Sequence, residues 1–164
     1  MANVFEPQFD ATEERPGFSF RDAWIAAQAG CERLGAALYE LPPGEAICPY
    51  HAHLANEEML LVIAGAPSLR TPDGWRELAE GEVVAFPVGE RGAHQVQNRS
   101  DRAARVLMVS EMVGPEVCLY PDSGKVMARE LPPGRAAHGT VRKIFREADE
   151  VEYWEGEQPP PAQP

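Results

Sequence analysis

The chain has 164 residues, of which 26 are acidic and 15 basic, so its formal net charge is −11 at pH 7. This length suits one domain, and 44% hydrophobic residues are enough to bury a core. A field this negative repels phosphate backbones and anionic lipid head groups, which disfavours nucleic acid and membranes as partners. The acidic amino terminus lacks the features of a secretory signal, and the three cysteines form no CxxC pair, so we expect a cytoplasmic protein with reduced thiols.

The pattern of the chain predicts an N-terminal arm over residues 1–30 and a single β-barrel domain with C-terminal strands over residues 31–146. Between Gly30 and Gly124, glycine, proline and Asp-Gly turns separate short pieces rich in Val, Leu, Ile, Phe and Tyr, which is typical of an all-β barrel or sandwich. Two stretches favour helix, 21–29 and 147–151. The predicted strands are 32–41, 58–63, 68–70, 75–78, 83–86, 93–97, 105–112 and 117–120, with a hairpin turn at 71–74.

Residues 147–164 are predicted to form an acidic segment followed by a Pro-rich tail. Six acids and no base lie within 147–157, which favours a solvated face with Tyr153 and Trp154 turned inward. The final residues lack a large apolar side chain, so we expect them to be extended.

Three of the four histidines are spaced as metal ligands would be. In an extended strand, residues two apart project to one face, so His51 and His53 would present two imidazoles to one point. Glu58 opens the apolar run 59–63, where a carboxylate is either a ligand or costly to bury. His94 begins a later alternating segment and would supply a third imidazole.

Two segments carry these residues in order. The first reads Gly44-x6-His51-x-His53-x4-Glu58-x6-Gly65, and the second reads Gly81-x5-Pro87-x-Gly89-x4-His94-x3-Asn98. Together they resemble the paired motifs of the cupin superfamily. The resemblance implies a cupin-type double-stranded β-helix, or jelly-roll, barrel in which one divalent metal ion is bound by His51, His53, Glu58 and His94. It also implies that turns are shaped by Gly65, Gly81, Pro87, Gly89 and Asn98.

Two further segments, 120–125 and 3–5, resemble those of small single-domain bacterial cupins that carry the label sugar-phosphate-isomerase-like. The sequence itself leaves some positions open. Glu57 could replace Glu58 as the inward carboxylate if the preceding turn were bulged. Cys48 is expected on the strand face opposite His51, and His138, which stands alone, is expected at the surface.

The function predicted is that of a metal-binding cupin that acts on a small molecule, as a metal-dependent dioxygenase or an isomerase. The alternative is a non-catalytic cupin that binds or stores a small ligand, because one fold hosts many roles. Three imidazoles and one carboxylate suit Fe, Mn, Ni, Cu, Co and Zn about equally, and no catalytic acid or base can be named. Four side chains are candidates to line the cavity, namely Tyr39, Met108, Ser110 and Tyr120.

We also expect a homodimer. Open strand edges in small barrels are commonly covered by pairing between chains, and the N-terminal arm could take part in such a contact.

Overall fold

The computed structural model describes residues 2–131 and 141–159. Within these ranges the chain has one short α-helix, α1 (Ile25–Gln28), and 3₁₀ turns at Glu90–Gly92, Pro121–Ser123 and Glu147–Asp149. The strands are β1 (Ala11–Glu13), β2 (Phe20–Ala23), β3 (Leu34–Leu41), β4 (Ala52–His53), β5 (Glu58–Ala64), β6 (Ser68–Thr71), β7 (Gly74–Glu77), β8 (Val83–Phe86), β9 (Gln95–Gln97), β10 (Ala104–Glu111), β11 (Glu116–Tyr120), β12 (Lys125–Arg129) and β13 (Arg142–Arg146).

The described strands form three sheets, and every pairing between them is antiparallel. The six-stranded sheet has the order β1-β2-β3-β10-β5-β8, the four-stranded sheet β13-β12-β11-β4, and the three-stranded sheet β7-β6-β9. The central pairs are long, since β10 runs in register with β3 from Ala104 opposite Leu41 to Glu111 opposite Leu34. The all-β prediction is therefore confirmed.

The core lies between the sheets and follows from strict alternation along the strands. In β5, Leu60 and Val62 are buried while Met59 is 41% exposed, so the even-numbered residues face inward. Glu58 has the same parity and starts this inward face. The cluster consists of Leu41, Leu60, Val62, Leu69, Leu78, Phe86, Val96 and Val106.

The turns named by the cupin resemblance have the geometry that such turns require. Gly65 has a φ of +82°, and a Cβ there would lie 2.9 Å from the Ala103 carbonyl oxygen, so both the backbone conformation and the packing favour glycine. Asn98 is fully buried, and its side-chain amide donates to the carbonyl oxygens of Leu41 and Arg102. Asn98 therefore ties the end of β3 to the turn before β10.

The termini differ from the sequence prediction in part. The described arm contains β1, β2 and α1, and β2 pairs with β3 of the same chain. The helix predicted over 21–29 is present only as α1 (Ile25–Gln28), because residues up to Ala23 belong to β2. At the other end, Tyr153 and Trp154 are 81% and 76% exposed, so the expectation that they turn inward is wrong. His138 and the last five residues lie outside the described residues.

In the described part of the chain, no helix has the length and apolar character that a membrane crossing needs.

Candidate metal centre

The four residues singled out by the sequence lie together at one end of the inward-facing strand surfaces. His53 ends β4, and Glu58 starts β5. His51 forms an isolated antiparallel bridge with His94, in which each backbone N–H donates to the other's carbonyl oxygen at 3.1 and 2.8 Å. The backbone thus places two histidines directly opposite each other, while a third follows two residues along the same segment.

The donor atoms of these side chains converge. His51 Nε2 lies 3.0 Å from His53 Nε2, and Glu58 Oε2 lies 3.3 Å from His53 Nε2 and 3.3 Å from His94 Nε2. Ligands about 2.0–2.2 Å from one divalent ion are separated from each other by about 3.0 Å in an octahedron and about 3.3 Å in a tetrahedron. The spacing of the His51, His53 and Glu58 donor atoms therefore fits a single divalent metal ion, and His94 adjoins this group through its contact with Glu58.

The far side of each ring is held by the protein. His51 Nδ1 donates to the Pro49 carbonyl oxygen at 3.0 Å, and His94 Nδ1 donates to the Gly92 carbonyl oxygen at 2.9 Å. A proton held on Nδ1 leaves the Nε2 lone pair directed at the centre, which is the arrangement that a metal-binding histidine requires. The chemistry of the donor set thus agrees with its spacing.

Glu116 belongs to this centre although the sequence analysis did not single it out. It is fully buried, and its Oε2 lies 3.7 Å from His53 Nδ1. Its Oε1 accepts hydrogen bonds from the backbone N–H groups of Leu54 and Ala55, each at 3.2 Å. Its Oε2 accepts a hydrogen bond from Asn56 Nδ2. Glu116 therefore holds the backbone between His53 and β5 and faces the far side of the His53 ring.

A sequence signal for Glu116 existed. Like Glu58, it is an acid that opens an apolar strand, and the cost of burying an unpaired carboxylate applies equally to both positions. Among the described residues, two groups of three donor atoms could hold a metal ion, namely His51 with His53 and Glu58, and His53 with Glu116 and Cys118. The two groups share His53. Cys118 Sγ lies 3.4 Å from His53 Nδ1.

The charges of the centre balance each other. Burial, together with the neighbouring imidazoles of His94 and His53, lowers the pKa of His51 to about 3, so this ring is neutral. Burial also acts to lower the pKa of His53, but contacts with a thiol and two carboxylates outweigh it and raise that pKa. Burial acts to raise the pKa of Glu58, but contacts with His53 and His94 outweigh it, so the pKa lies below its usual range.

Aromatic rings pack against the imidazoles. Phe86 stacks on His94 with 3.8 Å between ring centroids and 11° between planes, and it lies opposite Glu58 in the pairing of β8 with β5. Tyr120 lies nearly parallel to His51, with centroids 6.0 Å apart. These contacts restrict the rotation of two of the three rings.

Of the two positions left open by the sequence, one is decided as expected and one is not. Glu57 is exposed, so Glu58 is the inward carboxylate. Cys48 does not point away from the histidines, since its Sγ lies 3.5 Å from His51 Nδ1. The backbone N–H groups of Ile47 and His51 donate to the carbonyl oxygens of Val96 and His94, so the intervening residues form a bulge and the alternation expected of a regular strand is lost.

Two cavities meet at the centre. The larger, about 500 Å³, is lined by His51, His53, Glu58 and His94, and also by Tyr39, Met108 and Tyr120. The smaller, about 140 Å³, lies towards α1 and is lined in part by His53, Glu58, Tyr39, Met108 and Ser110. All four side chains expected to line the cavity therefore line one or both. The larger volume is suited to a small molecule.

Known proteins share this architecture. A sugar phosphate isomerase from a cupin superfamily, from Silicibacter pomeroyi, has a TM-score of 0.75 and 22% identity, over 91% of this chain and 94% of that chain. A candidate sugar phosphate isomerase from Acidithiobacillus ferrooxidans has a TM-score of 0.78 and 20% identity, over 91% of each chain. A predicted oxalate decarboxylase from Thermotoga maritima has a TM-score of 0.55 and 17% identity, over 69% of this chain and 99% of that chain.

Likeness at these identities establishes the fold. No curated protein matches the sequence at a significant level. Residues 37–110 match the family described as the Cupin domain, and this match spans both predicted motifs from β3 to β10. Residues 37–110 are therefore similar to the Cupin domain, and the chain has a jelly-roll barrel as its fold.

Proposed function

We propose that the protein binds one divalent transition metal ion through His51, His53, Glu58 and His94 and acts on a small molecule in the larger cavity. The observation that carries this proposal is the chain of donor-atom contacts at 3.0–3.3 Å from His51 to His53, from His53 to Glu58 and from Glu58 to His94. The opposite ring nitrogens of His51 and His94 are bound to carbonyl oxygens. When bound, a divalent ion supplies Lewis-acid or redox chemistry to a molecule in contact with it.

The protein's own residues would position the small molecule. Four protein donors leave positions free on an ion that takes six. Apolar side chains of the cavity wall, among them Ile47, Val96 and Met108, exclude water from the rest of the volume. The reaction classes that we propose are those of a metal-dependent dioxygenase or an isomerase.

Elemental analysis tests the metal site. Protein purified without an affinity tag or chelator should contain close to one equivalent of a divalent transition metal. The double variant His51→Ala/His53→Ala and the variant Glu58→Gln should lose it. Glu57→Gln removes the same charge from the exposed neighbouring residue, so it should retain the metal. Wild-type protein that neither contains nor takes up metal would refute the proposal.

Catalysis is tested separately with the metal-loaded protein. Oxygen consumption with a panel of small acids and diketones would support a dioxygenase, and conversion of sugar phosphates without oxygen uptake would support an isomerase. Tight binding without turnover across the panel would instead support a non-catalytic ligand-binding or storage cupin. The double histidine variant is the control for both assays.

The proposal also includes a homodimer in the cytoplasm, without nucleic acid or membrane partners. Strand β13 lies at the edge of its sheet and carries Ile144 and Phe145, each about half exposed, and Tyr153 and Trp154 follow it. A second copy that covers these apolar side chains would remove them from water. A monomer at micromolar concentration in light scattering would contradict the dimer. The negative net charge supports the absence of nucleic acid and membrane partners, and the three free cysteines support a reducing compartment.

A further inference from the structure

Two arginines face each other at the solvent end of the larger cavity. Arg129 ends β12 and Arg142 starts β13, and the two are direct partners in the register of these strands. Both line the cavity that His51, Glu58 and His94 also line. Arg129 is half-buried and Arg142 is exposed, whereas His94 is almost fully buried. The guanidinium pair therefore lies towards the opening and the candidate metal centre towards the interior.

Neither guanidinium forms an ion pair with a carboxylate of the described residues. Among them, no carboxylate oxygen lies within 4 Å of Arg129 or Arg142, although six other arginines of the same residue ranges have such a partner within that distance. Arg129 Nε donates to the Leu131 carbonyl oxygen at 2.6 Å, which fixes the plane of the group, and within residues 2–131 and 141–159 its terminal nitrogens have no carboxylate partner. In a chain with a net charge of −11, two cations at one cavity without a carboxylate partner in the described part of the chain are unusual.

Like charges directly opposite on paired strands destabilise a sheet. Burial, together with the charge of Arg142, lowers the pKa of Arg129, so the pair is held at some cost in free energy. A guanidinium remains charged in proteins, so deprotonation does not relieve the repulsion. An anion bound between the two guanidinium groups would relieve the repulsion. The planar fork of a guanidinium matches the oxygens of a carboxylate or a phosphate.

We propose that Arg129 and Arg142 bind the anionic oxygen group of the small molecule, a carboxylate or a phosphate, while its other end reaches the candidate metal centre. The substrate class is thus a small anion with a short uncharged middle, because the lining of the same cavity also includes the apolar side chains of Phe20, Val96 and Met127. This inference rests on the proposed function, because that function assigns the metal centre to the inner end of the small molecule. Binding of the anionic group by the two arginines can be tested without metal.

The test measures anion binding to metal-free protein by isothermal titration calorimetry. Malonate and inorganic phosphate are the two anionic probes, and malonamide is the uncharged control. Arg129→Gln and Arg142→Gln should each weaken anion binding at least tenfold, because a charge-assisted pair of hydrogen bonds is lost. Arg129→Lys should fall between wild type and Arg129→Gln, since it keeps the charge without the fork. The probe that binds more tightly identifies the carboxylate or the phosphate class.

Arg146→Gln is the matched control. It removes the same charge from the same strand, but Arg146 pairs with Lys125 at the other end of β13 and does not line the cavity. Anion binding should be unchanged in this variant. Equal weakening in Arg146→Gln would mean that only net charge matters, and would overturn the proposal, as would unchanged binding in Arg142→Gln or equal binding of malonamide.

Metal content of the same variants separates the two proposals. Arg129→Gln and Arg142→Gln should keep the wild-type metal content, whereas the double histidine variant should lose it and still bind the anions in the absence of metal. Failure of the metal site alone would therefore leave the anion result intact. Because Arg142 is exposed, its variant should fold even if the half-buried Arg129 variant does not. Loss of metal from Arg142→Gln would overturn the proposed division of roles.

Discussion

Replacement of Glu116 by glutamine tests whether this buried carboxylate maintains the candidate metal centre. Its two oxygens accept hydrogen bonds from Leu54, Ala55 and Asn56. A glutamine has one oxygen and one amide nitrogen, so in either orientation a donor would face a donor. Rotation of the Asn56 amide does not relieve this conflict, because its oxygen and nitrogen already bind the N–H and carbonyl oxygen of Val113.

The magnitude follows from the hydrogen bonds that are lost. A buried donor left without an acceptor costs about 1–3 kcal/mol, so the free energy of unfolding should fall by about that amount in urea denaturation of metal-free protein. Because Glu116 lies beside the far nitrogen of His53, metal affinity should also fall by about 10–100-fold, which is typical when such an outer contact is removed.

The matched control is Glu77→Gln, which removes an exposed carboxylate from β7 and should change stability by less than about 0.5 kcal/mol. A competition titration with Zn²⁺ measures affinity for both variants. If Glu116→Gln keeps the wild-type affinity while it loses stability, Glu116 supports only the fold, and the reasoning about His53 is wrong. If neither quantity changes, the hydrogen bonds at Glu116 are not formed as described.

Three other changes have expected outcomes. Phe86→Ala should lower the free energy of unfolding by about 3–5 kcal/mol and weaken metal binding, because it removes core volume and the ring stacked on His94; unchanged affinity would contradict the second part. Gly92→Ala should lower the thermal midpoint, because a Cβ would lie 1.7 Å from the Pro87 carbonyl oxygen; an unchanged midpoint would mean that this turn adapts. Burial acts to raise the pKa of Glu40, but hydrogen bonds from two guanidiniums outweigh it and lower the pKa from 4.5, so its stabilisation is present above that pH and lost below it. The difference in unfolding free energy between wild type and Glu40→Gln should therefore shrink as the pH falls below 4.5, and a constant difference would contradict the pairing.

Much of the barrel was predictable because its strands alternate strongly. The β8 strand was predicted with the observed bounds, and β5 differs by one residue at its end. The parity argument that assigned Glu58 to the face of Leu60 and Val62 needed only a regular strand, which β5 is. The local hydrophobic pattern is sufficient to predict a strand and its inward-facing residues where one face of the strand is buried and the other is exposed.

Strands β1 and β13, for which no bounds were predicted, lack this alternation. In β13, all five residues are exposed, and β1 is exposed throughout. Such strands form because a neighbouring strand offers backbone hydrogen-bonding groups, as β12 does for β13, and the residues themselves carry no signal of it. The same limit explains Cys48, since the bulge that turns its thiol towards His51 depends on pairing with Val96 and His94, distant in the sequence.

The candidate centre is built from cross-strand partners. His51 lies opposite His94, His53 opposite Cys118, and Glu58 opposite Phe86, so each donor is fixed by backbone pairing before any side-chain contact is considered. Side chains that are already oriented lose little further freedom when a ligand binds, which favours affinity. The same pairing explains why loops of differing length can join these strands without displacing the donors, and why the motif spacing in the sequence was informative about the site while the loops between the motifs were not.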